Sequence, residues 1–481
     1  MKSLVSVLFL AGSLRAAEPL LIRDVTIVDG AHGARVASVL VRDGRIAALG
    51  ADLKAPEGAR VVEARGKYLI PGLWDMHLHL TMVESQAVSR DILLPLLVAH
   101  GIVGVRDMGG DLERLAELRR EVAAGRPGPR ILTPGPFLDG PQPPSKTVLP
   151  VATEEEARQA VRTVKERGAE FAKVQAGLTE KTYLAIAGEA RRLSFPFAGH
   201  VPEALSAFLV ARSGQRSIEH ISPVLPGDAG LFFACSSEEE ALRKELLALG
   251  EDAKKEGADR KALVARQFAL QRRLVISTDP AKSRELFALL KKNGVRVVPT
   301  LIFGKGFAPL AADDVPADAA LEAVPAGTLE RWRKRRQQVI ANSGAEDFER
   351  RRLFFDRSRE LVGAMHRAGV ALMAGSDAID AFVVPGLSLH QELELFVASG
   401  LTPLEALRTA TLEPARFLGE EKTRGTVEKG KAADLVLLEA DPLREIAGTR
   451  KIAAVVLGGR YLPREELDKL LAAAVETAKK L

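Results

Sequence analysis

Cysteine is nearly missing from this chain: Cys235 is the only one in 481 residues. No intrachain disulfide is available and no thiolate cluster can hold a metal, so any metal must be bound by histidine, carboxylate or a less usual ligand. Aromatic residues are scarce too, at 5%, with three tyrosines and two tryptophans. Neither sign of charge dominates, since 68 basic against 63 acidic residues leave a net +5. No basic run has the layout of a nucleic-acid footprint, and the densest cluster, Arg331 to Arg335, reads as the solvated face of a helix. Beyond the first seventeen residues no apolar run is long enough to span a bilayer, so no stable membrane span is expected.

What the chain does have is size and pattern. With 47% hydrophobic residues over 481 positions it exceeds one ordinary domain, and two structural units are expected. Residues 1–17 have the layout of a secretory signal: Lys2, an apolar stretch from Leu4 to Leu14, then Ala16 and Ala17. Export to the periplasm or beyond is the expectation, although Leu14 or Arg15 falls where a cleavage site wants a small residue. The alternative is a disordered or strand-forming N-terminus of a cytosolic protein. Residues 18–70 alternate in short β-rich runs broken by Gly and Asp turns, and residues 419–481 return to the same style, so both ends are expected to share one composite β-sandwich.

Between them, residues 71–418 alternate short apolar strands with amphipathic helices, the pattern of a parallel α/β architecture. Eight strands can be placed: LWDMHLHL, VGVRDMG, RILTPGPFL, FAKVQ, FPFAGHV, SIEHIS, RVVPTLIF and LMAGSDA. Eight predicts a closed (β/α)8 TIM barrel. An open doubly wound sheet stays possible on periodicity alone, although no GxGxxG turn opens a helix. Two polar, helix-rich insertions, about 223–280 and 304–357, break the repeat. They follow strands six and seven, and in a barrel would stand at the C-terminal face as a lid or wall.

The sharpest local signal is PGLWDMHLHL, residues 71–80. Side chains two apart on a strand share a face, so Asp75, His77 and His79 project together from an otherwise apolar strand. Neutral imidazole is the commonest metal ligand, and buried paired histidines need a partner. Further chemistry-bearing residues fall one per strand: Lys173 on the fourth, His200 on the fifth, His220 on the sixth and Asp377 on the eighth. Strand ends at a barrel's C-terminal mouth let residues far apart in sequence meet in space.

In PGLWDMHLHL, HGIVGVRDMGG, FAKVQ, AGHV, IEHIS, MAGSDA and the closing GTVEKGKAADLVLL, the chain resembles the amidohydrolase superfamily, and within it the imidazolonepropionase-like and prolidase-like metal-dependent hydrolases. The resemblance implies a barrel with a composite β-sandwich and a binuclear site. His77 and His79 would bind one divalent metal and His200 and His220 a second, with Lys173 bridging them as a carbon dioxide-derived carbamate. Asp377 would be both ligand and catalytic proton shuttle, and zinc is the expected metal.

Physical chemistry is consistent with each role. A protonated lysine among four histidines and two cations would be repelled, whereas the carbamate is an anion. Two close cations lower the pKa of a bridging water, as zinc does from about 15.7 to about 7, and so supply hydroxide. Asp377 can accept a proton and pass it to a leaving group, or it can be merely the cap of a turn into a helix. His390, Arg106, Lys146 and Lys305 are candidate substrate or supporting contacts, with packing, an internal ion pair and surface exposure as their bland alternatives. None of Tyr68, Tyr183 and Tyr461 follows a late barrel strand, where the family leads one to expect an oxyanion-polarising tyrosine.

The expected activity is hydrolysis of an amide bond in a dipeptide or N-acyl amino acid by a homo-oligomer. The rivals are a cyclic amide, lactone or phosphoester hydrolase on the same centre, and a silent metal-binding protein of the envelope.

Overall fold

The structure is a computed structural model that describes residues 18–142, 144–221, 230–307, 319–379 and 382–481. The leader expected over residues 1–17 lies outside them. Five strands open the described chain: β1 Leu20–Asp29, β2 Gly33–Arg42, β3 Arg45–Gly50, β4 Arg60–Glu63 and β5 Tyr68–Pro71. β1 and β2 pair antiparallel, while β4 and β5 both run parallel to β1.

The central body begins at once with β6 Leu73–Leu78, then β7 Ile102–Asp107, β8 Arg130–Leu132, β9 Phe137–Asp139, β10 Val148–Pro150, β11 Ala172–Val174, β12 Phe197–Gly199, β13 Ser217–Glu219 and β14 Arg296–Val298. All their pairings are parallel, in the orders β6-β7-β8 and β10-β9-β11-β12-β13-β14. β8 and β9 form one stave interrupted at Pro134 and Pro136, as expected where proline removes a ladder donor. Thr133 O and Leu138 O each accept from the β11 side, from Glu170 N and Gln175 N at 3.0 Å.

The eighth stave, residues 371–378, forms no continuous ladder. It is joined to β14 by a parallel bridge, Val297 to Leu372, and to β6 by another, Leu78 to Ala378. Met76 N also donates to Ala374 O at 2.9 Å. The eight staves therefore follow one another around a TIM-type barrel whose last seam rests on single bridges. Gly375 explains how close that seam is: a Cβ there would stand 2.7 Å from His77 Cβ. The staves are buried on both faces, as parallel barrel strands are. On β6, Leu73, Trp74, Met76 and Leu78 are all in the core, each contributing about 1.5–3 kcal/mol of burial.

The chain end returns to the first sheet as β15 Leu435–Leu438, β16 Ile452–Leu457 and β17 Arg460–Pro463, with β15 antiparallel to β5. One eight-stranded sheet thus draws on both termini. It curls back on itself, Ile46 N donating to Lys431 O at 2.9 Å, around its own core of Ile22, Val39, Leu435 and Val456. The final helix, Arg464–Ala478, leaves the sheet and packs against the helix Leu94–Ala99 of the barrel.

Candidate metal centre

The pleat of β6 places His77 in the barrel interior, and His79 follows one residue past the strand's end. Both imidazoles meet Asp377 at the end of the closing stave. His77 Nε2 lies 3.3 Å and His79 Nε2 3.2 Å from Asp377 Oδ1. His220, just after β13, stands with its ring centroid 4.6 Å from that of His77, and His200, just after β12, is 4.7 Å from His220. One ligand atom each of His77, His220 and Asp377 falls within 4.8 Å of the others. Lys173, on β11 and buried, is close enough for its charge to depress the basicity of His200 and His220. All six residues expected at the centre therefore converge.

The hydrogen bonds fix which imidazole nitrogen is available. His79 Nδ1 donates to Gly109 O at 2.9 Å. His77 Nδ1 donates to Glu219 Oε2 at 3.0 Å. His220 Nδ1 donates to Thr300 Oγ1 at 2.7 Å, because that hydroxyl's own hydrogen goes to Pro299 O at 2.8 Å. In all three rings the proton sits on Nδ1 and the lone pair on Nε2, the arrangement metal-binding histidines adopt through their outer hydrogen bonds.

Two of those lone pairs then face the same carboxylate oxygen, and His77 Nε2 is buried with no hydrogen-bond partner. Acceptor against acceptor is repulsive unless a cation stands between them. Burial, then neighbouring positive groups, hold the His220 imidazole down at about 3, and His200 is depressed in the same way, whereas at His79 burial is outweighed by Asp377 and the imidazole is raised. Burial opposes ionisation of Asp377, and positive charge on the His77 and His79 side outweighs it and keeps the carboxyl well below its ordinary range, an effect that a cation held between them would supply in place of protons. The residues present fit a divalent cation.

Several residues that sequence reasoning missed hold this geometry. Glu219 bridges His77 to Arg106, whose Nη2 donates to Oε2 at 2.8 Å and Oε1 at 2.9 Å. Burial raises Glu219, but Arg106 and His77 prevail and bring it down to about 2. Asp75 turns away from the ligand cluster to accept from Ser376 Oγ at 2.6 Å and Ser376 N at 3.0 Å, pinning the residue before Asp377. Glu392 accepts from Leu301 N and Ile302 N at 3.0 and 2.8 Å, just past Thr300. A charged residue in an apolar strand was the available signal for Glu219, as it was for Arg106, which the sequence did single out.

Of the four candidate substrate or supporting contacts, Arg106 takes the supporting place, behind Glu219 and His77, and none of the four borders the ligand pocket. Arg106 is buried in its ion pair, with Nε donating to Met76 O at 2.7 Å. His390 is fully buried in the helix Leu387–Ala398, with Nδ1 against Thr449 Oγ1 at 2.9 Å and Nε2 against His100 O at 3.0 Å. Lys146 is a surface residue 3.4 Å from Asp111 Oδ2. Lys305 lies in the helix Leu301–Phe307 on the side of Glu394. None of the four lines the cavity of about 490 Å³ that His79 and Asp377 border. The run once expected to be merely solvated does line it, through Arg331, Trp332 and Arg335 of the helix Ala326–Ala341.

The sequence pattern of the amidohydrolase family matches residues 68–462, most of the chain. The chain belongs to the amidohydrolase family. The clustered histidines and aspartate agree with a metal-binding member of that family. Among curated proteins it is similar to the imidazolonepropionase of Pseudomonas paraeruginosa, 40% identical over 87 residues, which are 18% of this chain and 21% of that one. The dihydroorotase of Geobacter sulfurreducens is 47% identical over 62 residues, 13% of this chain and 15% of that protein. The match thus spans about a fifth or less of these relatives' length.

Solved structures agree over far more of the chain. A Xaa-Pro dipeptidase with bound methionine in the active site superposes with a TM-score of 0.65 at 18% identity, covering 93% of this chain and all of that one. A bottromycin amidohydrolase gives 0.68 at 22%, covering 95% and 90%. At these identities the likeness establishes the amidohydrolase fold.

Proposed function

We propose that this amidohydrolase cleaves the amide bond of a small substrate, a dipeptide or N-acyl amino acid, with the aid of divalent metal ions, zinc being the first candidate. The observation that carries the reading is the orientation of three imidazoles. Each has its proton committed to an acceptor on Nδ1, and two point their Nε2 lone pairs at one carboxylate oxygen. His77, His79 and Asp377 would hold one ion, and His200 and His220 a second, with Lys173 as a carbamate between the two. The same negative groups that would attract a proton to His79 attract a cation instead.

Bound divalent ions supply Lewis acidity, acidifying water and polarising a carbonyl. The chain's own residues do the rest. Asp377, ionised and at the pocket floor, takes a proton from the attacking water and returns it to the departing nitrogen, so that a C–O bond forms, the C–N bond breaks, and an acid and an amine leave. Glu219 and Gly109 O keep His77 and His79 in one tautomer throughout. Carboxylation of Lys173 removes a positive charge from beside His200 and His220.

Support for the substrate class comes from the dipeptidase among the structural neighbours and from a pocket of a size that suits small ligands. The test is metal analysis of purified protein with turnover of dipeptides, N-acyl amino acids, cyclic amides, lactones and phosphoesters. Asp377→Asn should lower turnover of the preferred amide far more than it lowers occupancy of the second metal. Bound metal without turnover of any substrate would instead favour a silent binding protein, and turnover confined to lactones or phosphoesters would move the chemistry to another bond.

A further inference from the structure

We infer that the barrel carries a second ligand site, at the end opposite the metal centre, that takes a small aromatic carboxylate about the size of benzoate. Binding there does not depend on the hydrolase reading. His79, His200 and His220 follow the C-terminal ends of β6, β12 and β13. A separate cavity of about 220 Å³ is bordered at the strands' other ends, by Arg130 where β8 begins, Phe171 just before β11, Phe197 where β12 begins and Arg216 just before β13. Barrel interiors are normally filled by layers of side chains. Here the cavity reaches Arg106, a fully buried residue whose Nη2 is held by Glu219.

Three guanidiniums crowd one ring of this cavity. Those of Arg216, Arg106 and Arg296 stand 4.7, 5.1 and 5.5 Å from the Phe417 ring centroid. Arg106 has its carboxylate in Glu219. The other two donate to carbonyls, Arg216 Nη2 to Phe417 O at 2.6 Å and Arg296 Nη1 to Gly294 O at 3.1 Å, and Arg296 Nε is buried with no hydrogen-bond partner. A carbonyl satisfies an N–H group but cancels no charge. Partial burial, then the charge of Arg106, lower the pKa of Arg216, and no carboxylate among the described residues offsets them. The acids at the cavity are already engaged. Glu420 accepts from Arg130 Nη1 at 2.6 Å and Nη2 at 2.9 Å, and Glu170 accepts from Arg119 and from Thr133 N at 3.0 Å. The balance is an excess of positive charge that a bound anion would offset.

Charge alone would admit any anion, and the walls narrow the choice. Leu132, Phe171, Phe197 and Phe417 are buried apolar residues lining the space, with Leu418 half-buried beside them. An apolar cavity of about 150 Å³ takes a benzene ring, so this one has room for a ring and its carboxylate. Aromatic walls favour a flat ring, and a planar guanidinium matches a carboxylate with two parallel bonds. Inorganic phosphate would satisfy the charge and leave the walls uncovered.

The test is calorimetric titration of the full chain, with its metal and after stripping it, using benzoate, benzamide and inorganic phosphate. Benzoate should bind saturably and at least about 10-fold more tightly than either of the others. Arg216→Ala should weaken benzoate by roughly 10-fold or more and leave benzamide nearly unchanged, with Arg216→Lys retaining part of the difference. Leu418→Trp, which enlarges a lining side chain, should weaken benzoate and benzamide alike. Arg216 reaches solvent, and urea unfolding midpoints check that each variant folds. Carboxylates also bind metals, so benzoate's affinity should survive metal removal; binding lost with the metal places benzoate at the metal centre and overturns the proposal. So do the absence of saturable binding, equal binding of acid and amide, phosphate bound as tightly as benzoate, or an affinity indifferent to Arg216→Ala.

Discussion

Glu219→Gln separates what this carboxylate does for the fold from what it does for the metal. The substitution keeps the shape and removes the charge between Arg106 and His77. Arg106 is fully buried, its Nη2 held by both Glu219 oxygens at 2.8 and 2.9 Å, so the variant leaves a guanidinium without a counterion. Breaking a buried pair from one side costs about 3–5 kcal/mol. The His77 Nδ1 proton also loses its anionic acceptor at 3.0 Å, and loss of such an outer partner lowers metal affinity by about 10- to 100-fold. Urea unfolding of metal-stripped protein reads the first effect, and competition with a chelator reads the second. The double variant Glu219→Gln with Arg106→Leu then decides between causes. It removes the orphaned charge and should recover most of the stability, while metal affinity stays low because His77 still lacks its carboxylate. Native metal affinity in Glu219→Gln would refute the reasoning and reduce Glu219 to a counterion for Arg106.

Other residues give independent checks. Lys173→Ala should lower both metal content and rate, with partial recovery when a short carboxylate such as acetate is added; full turnover without it counts against a bridging carbamate. His390→Ala deletes a buried ring with two hydrogen bonds and should cost about 2–4 kcal/mol in stability, while KM and metal content stay at native values. A raised KM would restore it as a substrate contact. Burial pushes the Glu392 carboxyl up to about 8, so its protonated form favours the folded state. That contribution is full below its ordinary value near 4.5 and is lost as pH rises through 8, with a ceiling of about 5 kcal/mol. Native protein should therefore lose urea resistance between pH 5 and 8 more steeply than Glu392→Gln, and equal slopes would disprove the assignment.

The cluster was readable because its residues are chemically conspicuous and each lies within or at the end of a separate candidate strand or, for the two histidines of the first, together on one. His77, His79, Lys173, His200, His220 and Asp377 needed only the barrel topology to bring them together. The supporting carboxylates were harder to read. Asp75 looked like a third member of the histidine face, yet on a strand the same period serves a ligand and a fastener, and only the closeness of Ser376 tells which. His390 misled for the opposite reason, since a histidine near the end of a barrel reads as functional until its two core hydrogen bonds are known. The run from Arg331 to Arg335 shows the limit of composition. Five polar and aromatic residues on a helix look solvated, and which side meets a cavity depends on where Phe382 anchors Trp332 and Arg336.

Three residues of the centre hold left-handed backbone that non-glycine residues rarely adopt: His220 at φ 64°, Thr300 at φ 49° and Asp377 at φ 57°. Each such residue costs about 1–3 kcal/mol, most clearly for β-branched Thr300. Each is also clamped by neighbours. Asp377 N donates to His77 O at 2.6 Å beside the Asp75–Ser376 bond, His220 N donates to Val298 O at 2.9 Å, and Glu392 grips the two amides after Thr300. The strained positions are those whose side chains must turn inward at a strand end, where regular strand geometry would aim them along the barrel wall. Buried carboxylates are costly supports for such a turn, because each must be fully hydrogen-bonded to be tolerated. Their advantage is directional: a carboxylate fixes two donors at once, whereas an apolar side chain fixes none. A metal site that needs its imidazoles set to within tenths of an ångström is where that trade favours the carboxylate.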